Sequence, residues 1–295
     1  MGERVTVFEM GPRDGLQNEA APIATADKIA LVNALSECGL SKIEVTSFVS
    51  AKWVPQLSDA AQVMAGLTRV PGISYTALTP NMKGFEAAKD ALADEIAIFG
   101  AASEAFSKAN INCSIEDSLA RFIPMMAAAK TAGIPVRGYV SCITDCPYEG
   151  AVSPQRTARV AQALFEMGCY EISLGDTIGQ ATPERLDKTL QAVLDGVPAS
   201  VLAGHYHDTN QRALENITLS LGYGIRVFDA AIGGLGGCPY APGAKGNVAT
   251  EAVAALMQAQ GFETGLDLIK LEKAARMAKG LVHGCLLYTS PSPRD

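Results

Sequence analysis

Two histidines separated by one residue are the strongest chemical signal in the sequence. The chain contains three histidines, and two of them, His205 and His207, follow the apolar run 201–203. If this run is a β-strand, its two-residue period directs both imidazoles to the same face. Imidazole is the commonest metal-ligating side chain, so this pair favours a shared metal ion over two hydrogen-bonded core residues.

A second signal is the Arg13-Asp14 pair, which follows the first apolar run of the chain. The Asp14 carboxylate is a candidate third ligand, with an Asx-turn or a helix cap as its alternative role. The Arg13 guanidinium has the planar geometry that clamps a carboxylate or enolate oxygen. Its alternative role is a salt bridge to Glu44 or Asp176.

The third signal is the segment 233–247, which has glycine at positions 233, 234, 236, 237, 243 and 246. This composition is typical of a mobile loop that closes against a ligand. The loop presents one thiol, Cys238, and ends at Asn247, whose amide oxygen is a candidate fourth ligand. Mixed nitrogen and oxygen ligands suit a Lewis-acid divalent ion and leave Mg²⁺, Mn²⁺, Co²⁺ and Zn²⁺ open.

Eight short β-rich runs alternate with helical patterns and must position these residues. Eight strand-helix units predict parallel strands that close into a (β/α)₈ TIM barrel. The alternative, a doubly wound sheet, lacks support because no G-x-G-x-x-G follows the first strand. The predicted strands are Val5–Glu9, Lys42–Thr46, Ile73–Leu78, Glu95–Phe99, Val136–Val140, Tyr170–Leu174, Ser200–Tyr206 and Ile225–Ala230.

The reactive residue types fall at the ends of these predicted strands, which is where a TIM barrel carries its active site. The candidates, in chain order, are Arg13, Asp14, Gln17, Glu44, Ser47, Asp176, Thr177, His205 and His207. Asp176 is a candidate general base, or else a partner that holds Arg13 in place. Cys238 is a candidate proton donor, with an inert thiol as the alternative and a covalent thioester less favoured.

Composition bounds the remaining questions. Residues 1–284 are predicted to form a single catalytic barrel, and the Ser-Pro-containing tail 285–295 is predicted to be non-native or disordered. The net charge of −7, with no Lys/Arg runs, argues against nucleic-acid binding. No apolar stretch is long enough for a membrane span, and no signal peptide is expected. Seven scattered cysteines predict reduced thiols in a cytoplasmic protein.

The motifs together resemble the hydroxymethylglutaryl-CoA lyase family, a branch of the metal-dependent lyase and synthase barrels. The resemblance rests on the segment 11–19 (GPRDGLQNE), the run 205–208 (HYHD) and the loop 233–247 with Cys238, and covers residues 3 to 283. It implies cleavage of 3-hydroxy-3-methylglutaryl-CoA to acetoacetate and acetyl-CoA, as in leucine degradation or ketone-body formation.

The resemblance also implies roles for individual residues. Mg²⁺ or Mn²⁺ would be held by Asp14, His205, His207 and Asn247. The catalytic residues would be Asp176 as base for the C3 hydroxyl, Arg13 at the enolate, Cys238 as proton donor, and Glu44 in support of Arg13 or the metal. Substrate contacts would come from Arg13, Gln17, Ser47 and Thr177, in a predicted homodimer.

Three alternatives stay open at this point. A relative acting on a longer 3-hydroxy-3-alkylglutaryl-CoA would carry the same motifs, since acyl-pocket size is not readable from sequence. A Claisen-condensing synthase of the same barrels is disfavoured by the cysteine loop and by the lack of an added domain. A non-enzymatic, metal-stabilised scaffold would need a further strong ligand, which the sequence does not supply.

Overall fold

The strands of the computed structural model, which describes residues 2–236 and 246–283, form the predicted barrel. Within these residues eight parallel strands close in the order β1-β10-β9-β8-β5-β4-β3-β2. They are β1 (Thr6–Glu9), β2 (Lys42–Ser47), β3 (Ser74–Leu78), β4 (Glu95–Ala101), β5 (Val136–Ser141), β8 (Glu171–Asp176), β9 (Leu202–Tyr206) and β10 (Val227–Ala230). The fold is thus a (β/α)₈ barrel, and the doubly wound alternative is excluded.

Helices follow the strands and cover the outside of the barrel. They are α1 (Thr25–Ser36), α2 (Ala60–Gly66), α3 (Met82–Asp90), α4 (Glu104–Ile111), α5 (Ile115–Ala132), α6 (Pro154–Glu166), α7 (Pro183–Leu194), α8 (Ala213–Gly222), α9 (Thr250–Ala259) and α10 (Leu268–His283). Proline in the first turn opens α6 and α7, where its missing N–H is not needed.

One small element has no counterpart in the sequence prediction. The strands β6 (Asp145–Cys146) and β7 (Gly150–Ala151) form an antiparallel hairpin between β5 and α6. Two-residue strands are too short to show a two-residue alternation, so the sequence contains no periodic signal for them. Cys146 is buried there, as is Cys142, so both thiols pack inside the fold.

The barrel has an apolar outer layer and a partly polar interior. A large cluster of apolar side chains, aliphatic and aromatic, fills the space between the strands and the helices. A smaller cluster inside the barrel consists of Phe8, Met10, Leu78, Ala97 and Tyr139. At the N-terminal end of the barrel, Lys42 Nζ donates to both carboxylate oxygens of Glu95, at 2.9 and 3.0 Å.

Two sequence predictions fall on residues outside the described ranges. Cys238 lies in the segment 237–245, and the tail 285–295 lies beyond the last described residue. The proposed tail and the domain boundary at 284 therefore stay predictions. Among the described helices, none combines the length and the apolar character needed to cross a membrane.

Candidate active site

A tight turn at the C-terminal end of β1 presents Arg13 and Asp14. The turn Gly11–Gly15 is π-helical, with the N–H groups of Arg13, Asp14 and Gly15 all donating to the Met10 carbonyl at 3.2, 2.8 and 3.2 Å. A Cβ on Gly15 would approach Leu235 Cβ to 2.8 Å, so the turn can pack this closely only with glycine at that position.

Glu9 anchors this turn from behind. Its side chain is fully buried, and Oε1 accepts hydrogen bonds from the backbone N–H groups of Gly11, at 2.7 Å, and Ile232, at 2.8 Å. Its second oxygen accepts from the Thr250 hydroxyl at 2.6 Å. One carboxylate thus joins the loops after β1 and β10 to the first residue of α9, which fixes the two loops that flank the site.

Arg13 is held between two carboxylates. Its Nε donates to Glu44 Oε2 and its Nη1 donates to Asp14 Oδ1, each at 2.5 Å. Burial acts to lower the pKa of Arg13, but Glu44 and Asp14 outweigh it and raise that pKa, so the guanidinium stays charged. Of the two predicted alternative partners, Glu44 pairs with Arg13, whereas the Asp176 carboxylate accepts from backbone N–H groups of the loop after β8.

The two histidines and Asp14 converge on one point. His205 Nε2 lies 3.3 Å from His207 Nε2 and 3.9 Å from Asp14 Oδ2. Each of the three residues offers a ligand atom, and these atoms lie within 4.8 Å of one another. The two-residue period of a strand explains why both imidazoles point the same way.

The hydrogen bonds and charges around His205, His207 and Asp14 favour binding of a cation. His205 Nδ1 lies 3.1 Å from Asp229 Oδ2, so Nδ1 carries the proton and Nε2 presents its lone pair. Burial, followed by the neighbouring His205, lowers the pKa of His207 to about 4, which leaves a neutral imidazole at pH 7. Burial acts to raise the pKa of Asp14, but Arg13, the two histidines and the hydrogen bond from Asn247 together outweigh it and lower the pKa to about 2. Two imidazoles beside a carboxylate fit a divalent ion.

Asn247, which follows the segment 237–245 in the chain, contacts both Asp14 and His207. Its Nδ2 donates to Asp14 Oδ2 at 2.8 Å and to the Leu235 carbonyl at 3.1 Å. Its backbone also forms an isolated antiparallel bridge with His207. The amide therefore presents its nitrogen to Asp14, and the role of its oxygen as the fourth ligand stays a prediction.

Comparison with known proteins agrees with this geometry. The HMGL-like family model matches residues 4–278. This chain belongs to the HMGL-like family. The mitochondrial hydroxymethylglutaryl-CoA lyase of Gallus gallus is 56% identical over 269 residues, which cover 91% of this chain and 90% of the relative.

Two bacterial relatives extend the comparison. The 3-hydroxy-3-isohexenylglutaryl-CoA/hydroxy-methylglutaryl-CoA lyase of Pseudomonas aeruginosa is 54% identical over 274 residues, covering 93% of this chain and 91% of the relative. The crystal structure of the HMG-CoA lyase from Brucella melitensis is 58% identical and has a TM-score of 0.94, covering 95% of this chain and 99% of that chain. The fold of the family is therefore present over nearly the whole chain.

The remaining candidates occupy less central positions in this HMGL-like barrel. Gln17 Nε2 donates to Asp14 Oδ1 at 3.2 Å and so lies at the edge of the site. Ser47 is buried and accepts from the Val49 N–H at 3.2 Å. The Thr177 hydroxyl accepts from the Cys142 N–H at 2.8 Å. The substrate contacts assigned to these three residues stay predictions.

Asp176 points away from the barrel interior. In β8 it shares the face of Ile172 and Leu174, and its two oxygens accept from the N–H groups of Gln180, at 3.1 Å, and Ala181, at 3.0 Å. Burial raises its pKa to about 6. These contacts favour a role in holding the loop after β8, and the role of general base stays a prediction.

Replacing Asp176 by asparagine separates these two roles. The amide has one acceptor oxygen for two backbone donors, so we expect the free energy of unfolding to fall by about 1–3 kcal/mol. A general base would in addition require a loss in kcat of about 10²–10⁴-fold. Ser114→Ala, which removes the N-cap of α5, is the control for a loss of stability remote from the site. A kcat of Asp176→Asn within tenfold of the parent would remove Asp176 as the base.

Sequence reasoning missed the residues inside the barrel that support the site. Tyr139 Oη donates to Glu44 Oε1 at 3.0 Å, and Asp229 contacts His205. Arg137 donates to both Tyr139 and Asp229. All three lie within predicted strands, and polar residues at alternate positions of otherwise apolar runs are the signal that could have identified them.

Proposed function

We propose that this chain is a metal-dependent carbon–carbon lyase that cleaves 3-hydroxy-3-methylglutaryl-CoA to acetoacetate and acetyl-CoA. The observation that carries the proposal is the convergence of Asp14, His205 and His207 beside the buried guanidinium of Arg13, in a chain of the HMGL-like family. The reaction would serve leucine degradation or ketone-body formation.

The proposed ion is Mg²⁺ or Mn²⁺, held by Asp14, His205, His207 and Asn247. Such a divalent cation supplies Lewis acidity toward the oxygen atoms of a bound substrate. The protein contributes two imidazoles and a carboxylate whose ligand atoms already lie within 4.8 Å of one another, and Asp229 fixes the orientation of His205. A preformed set of this kind reduces the reorganisation that accompanies binding.

The residues of the chain account for the proton and charge movements. The C3 hydroxyl gives up its proton, for which Asp176 is the proposed acceptor, and the C2–C3 bond breaks to leave a carbonyl at C3. The electron pair passes to C2 and forms the thioester enolate. Arg13, oriented by Glu44, stabilises that negative charge, and Cys238 then donates a proton to C2 to give acetyl-CoA.

Cys238 lies outside the described residues, but its chain neighbours support its role. Gly236, two residues earlier, packs so closely that a Cβ there would meet Asn247 Nδ2 at 2.8 Å and the Asp14 carbonyl at 3.2 Å. At the other end of the segment, the Gly246 carbonyl accepts from the Asp208 N–H at 2.6 Å. The segment with the thiol is therefore attached beside the metal ligands at both ends.

Cys238→Ser is expected to lower kcat by about 10²–10⁴-fold while leaving Mn²⁺ binding and KM close to those of the parent, because a hydroxyl is a far weaker acid than a thiol. Steady-state kinetics of the serine variant provide the measurement. Cys113→Ser, at a buried cysteine outside the site, is the control. An unchanged kcat in Cys238→Ser would remove the thiol from the mechanism.

The direct test of the function is acetoacetate release from 3-hydroxy-3-methylglutaryl-CoA. Protein treated with a chelator is assayed with Mg²⁺, with Mn²⁺ and without added metal, and we expect turnover only with metal. Full activity in metal-free buffer would overturn the metal dependence. No release under any condition would overturn the lyase assignment.

The same assay should be run with a 3-hydroxy-3-alkylglutaryl-CoA that has a longer alkyl group, because the name of one relative includes such a substrate. The Pseudomonas aeruginosa protein is named as a lyase for both the isohexenyl and the methyl substrate. Comparing kcat/KM for a longer 3-hydroxy-3-alkylglutaryl-CoA with that for the methyl substrate decides between a narrow and a broad lyase. Incubation with acetyl-CoA and a 2-oxo acid tests the Claisen-condensing alternative.

We further propose a cytoplasmic homodimer. The cysteines that the structure describes, Cys38, Cys113, Cys142, Cys146 and Cys169, are all buried and unpaired, which supports a reducing compartment. Light scattering during size-exclusion chromatography tests the dimer, and fractionation of the source cells tests the compartment.

A further inference from the structure

Arg137 is a charged side chain buried inside the barrel, on the N-terminal side of the candidate site and not part of it. Its side chain is almost completely buried, on the inner face of β5. Nε donates to Glu171 Oε1 at 2.6 Å. Nη1 and Nη2 donate to the two oxygens of Asp229 at 2.9 and 2.7 Å, which is the bidentate geometry of a strong arginine–carboxylate pair.

Asp229, which Arg137 holds in a fixed orientation, also contacts His205. Its Oδ2 also accepts from the Ser173 hydroxyl at 2.8 Å and lies 3.1 Å from His205 Nδ1. A carboxylate clamped by a guanidinium can only accept hydrogen bonds, so His205 Nδ1 must be the donor. The Arg137–Asp229 pair therefore selects the tautomer of His205 that has its lone pair on Nε2, facing Asp14 and His207.

A second chain of hydrogen bonds connects the guanidinium of Arg137 to Arg13. Arg137 Nη1 donates to Tyr139 Oη at 2.9 Å, so the Tyr139 hydroxyl must use its own proton elsewhere. It donates that proton to Glu44 Oε1 at 3.0 Å, and Glu44 Oε2 accepts from Arg13 Nε at 2.5 Å. The residue that faces the enolate in the proposed reaction is thus oriented through the same buried group.

We propose that Arg137 is a positioning residue that sets the tautomer of His205 through Asp229 and the orientation of Arg13 through Tyr139 and Glu44. The inference rests on the proposed function only for its link to catalysis. The tautomer and the hydrogen-bond order can be measured on the metal-free protein.

The competing interpretation is a buried ion pair that only stabilises the barrel. The chain offers a matched control for it nearby, because Lys42 and Arg137 both lie over the ring of Phe8 at the N-terminal end of the barrel. Lys42 Nζ pairs with Glu95 and donates to Tyr170 Oη at 2.8 Å, and neither partner is a residue of the candidate site. Lys42→Met removes a cation from the barrel interior as Arg137→Met does, but it leaves the hydrogen bonds of Arg137 to Asp229 and Tyr139 intact.

The first measurement is the tautomer of His205 in metal-free protein, by nitrogen-15 NMR at a pH above the ordinary histidine range. The chain has three histidines, so assignment is simple. We expect the Nδ1–H form of His205 in the parent and in Lys42→Met. In Arg137→Met we expect a mixture with the Nε2–H form. Asp229→Asn, whose amide can donate to Nδ1, should favour Nε2–H and provides the test if Arg137→Met does not fold.

The second measurement is Mn²⁺ affinity by calorimetry. Loss of an outer hydrogen-bonding partner of a ligand weakens metal binding by about 10–100-fold, which we expect for Arg137→Met and Asp229→Asn. Arg137→Lys keeps the charge but cannot form the bidentate pair, and should give a smaller loss.

Two results would overturn the proposal. One is an Arg137→Met or Arg137→Lys protein with lowered thermal stability but a parent-like His205 tautomer and Mn²⁺ affinity, which is the behaviour of a purely stabilising ion pair. The other is an equal shift of both readouts in Lys42→Met. If the parent itself failed to bind Mn²⁺, the proposed Mn²⁺ site would fail, and the tautomer would still decide the role of Arg137.

Discussion

His205→Ala is expected to abolish metal-dependent turnover and to weaken Mn²⁺ binding by more than about 10²-fold, because it removes a ligand itself rather than a group behind one. The barrel should remain folded. Asp229, the buried neighbour of His205, keeps its hydrogen bonds from Arg137 and Ser173. The cost in unfolding free energy is therefore limited to about 1–3 kcal/mol. Calorimetry with Mn²⁺ and the acetoacetate assay provide the measurements.

The next residue in the same strand gives a matched control. Tyr206 points to the helix layer, where its hydroxyl lies 2.8 Å from Ser220 Oγ. Tyr206→Phe removes that hydrogen bond at a cost of about 1 kcal/mol, and metal binding and turnover should be unchanged. Equal losses in the two variants would mean that the effect of His205→Ala comes from a disturbed strand. Mn²⁺ affinity near that of the parent in His205→Ala would exclude His205 as a ligand.

Arg13→Lys is expected to lower kcat by about 10³–10⁴-fold with a much smaller change in KM. Loss of one neutral donor to a developing oxyanion costs about 10²–10³-fold, and here the donor is a charged and oriented group. Lysine keeps the positive charge between Glu44 and Asp14, so the buried carboxylates are not left unpaired. A compact ammonium cannot contact both of them and the substrate in the geometry of the planar guanidinium.

A surface arginine at the other end of the barrel controls for the substitution itself. Arg226 pairs with Glu3 and donates to the Leu221 carbonyl at 2.8 Å, and Arg226→Lys should leave the kinetics unchanged. If Arg13→Lys retained kcat within tenfold of the parent, Arg13 would be a structural partner of Glu44 and not the group that stabilises the enolate.

The barrel could be predicted from the sequence because parallel strands buried on both faces produce continuous apolar runs. All eight predicted runs are strands, and their ends differ by only a few residues. For example, β9 begins at Leu202 instead of Ser200 because the tight turn Ala199–Val201 precedes it. The convergence of Asp14, His205 and His207 followed from the same topology, because strands β1, β10 and β9 are neighbours.

The features that were not predicted are the directions in which side chains point and the polar contacts inside the barrel. Asp176 follows a strand, as a catalytic residue would, but its position relative to Ile172 and Leu174 assigns it to the outer face of β8. Arg137 and Asp229 are charged residues in the middle of strands, and their pairing across the barrel depends on which strands face one another. The π-helical turn after β1 needs contacts with Leu235 that only the folded chain brings together.

The alternation of β9 also limits how this strand can change in length. His205 faces the barrel interior and Tyr206 faces α8, so one residue inserted between Leu202 and His205 would exchange the two faces. The phenol would enter the polar interior, both imidazoles would turn to the apolar helix layer, and the strand itself would persist. An insertion of two residues would preserve the faces but lift the imidazoles by about 6.6 Å along the strand. Length variation in this part of the chain therefore has to be confined to the turn before Leu202, and designers who graft new loops onto this barrel should place their junctions there.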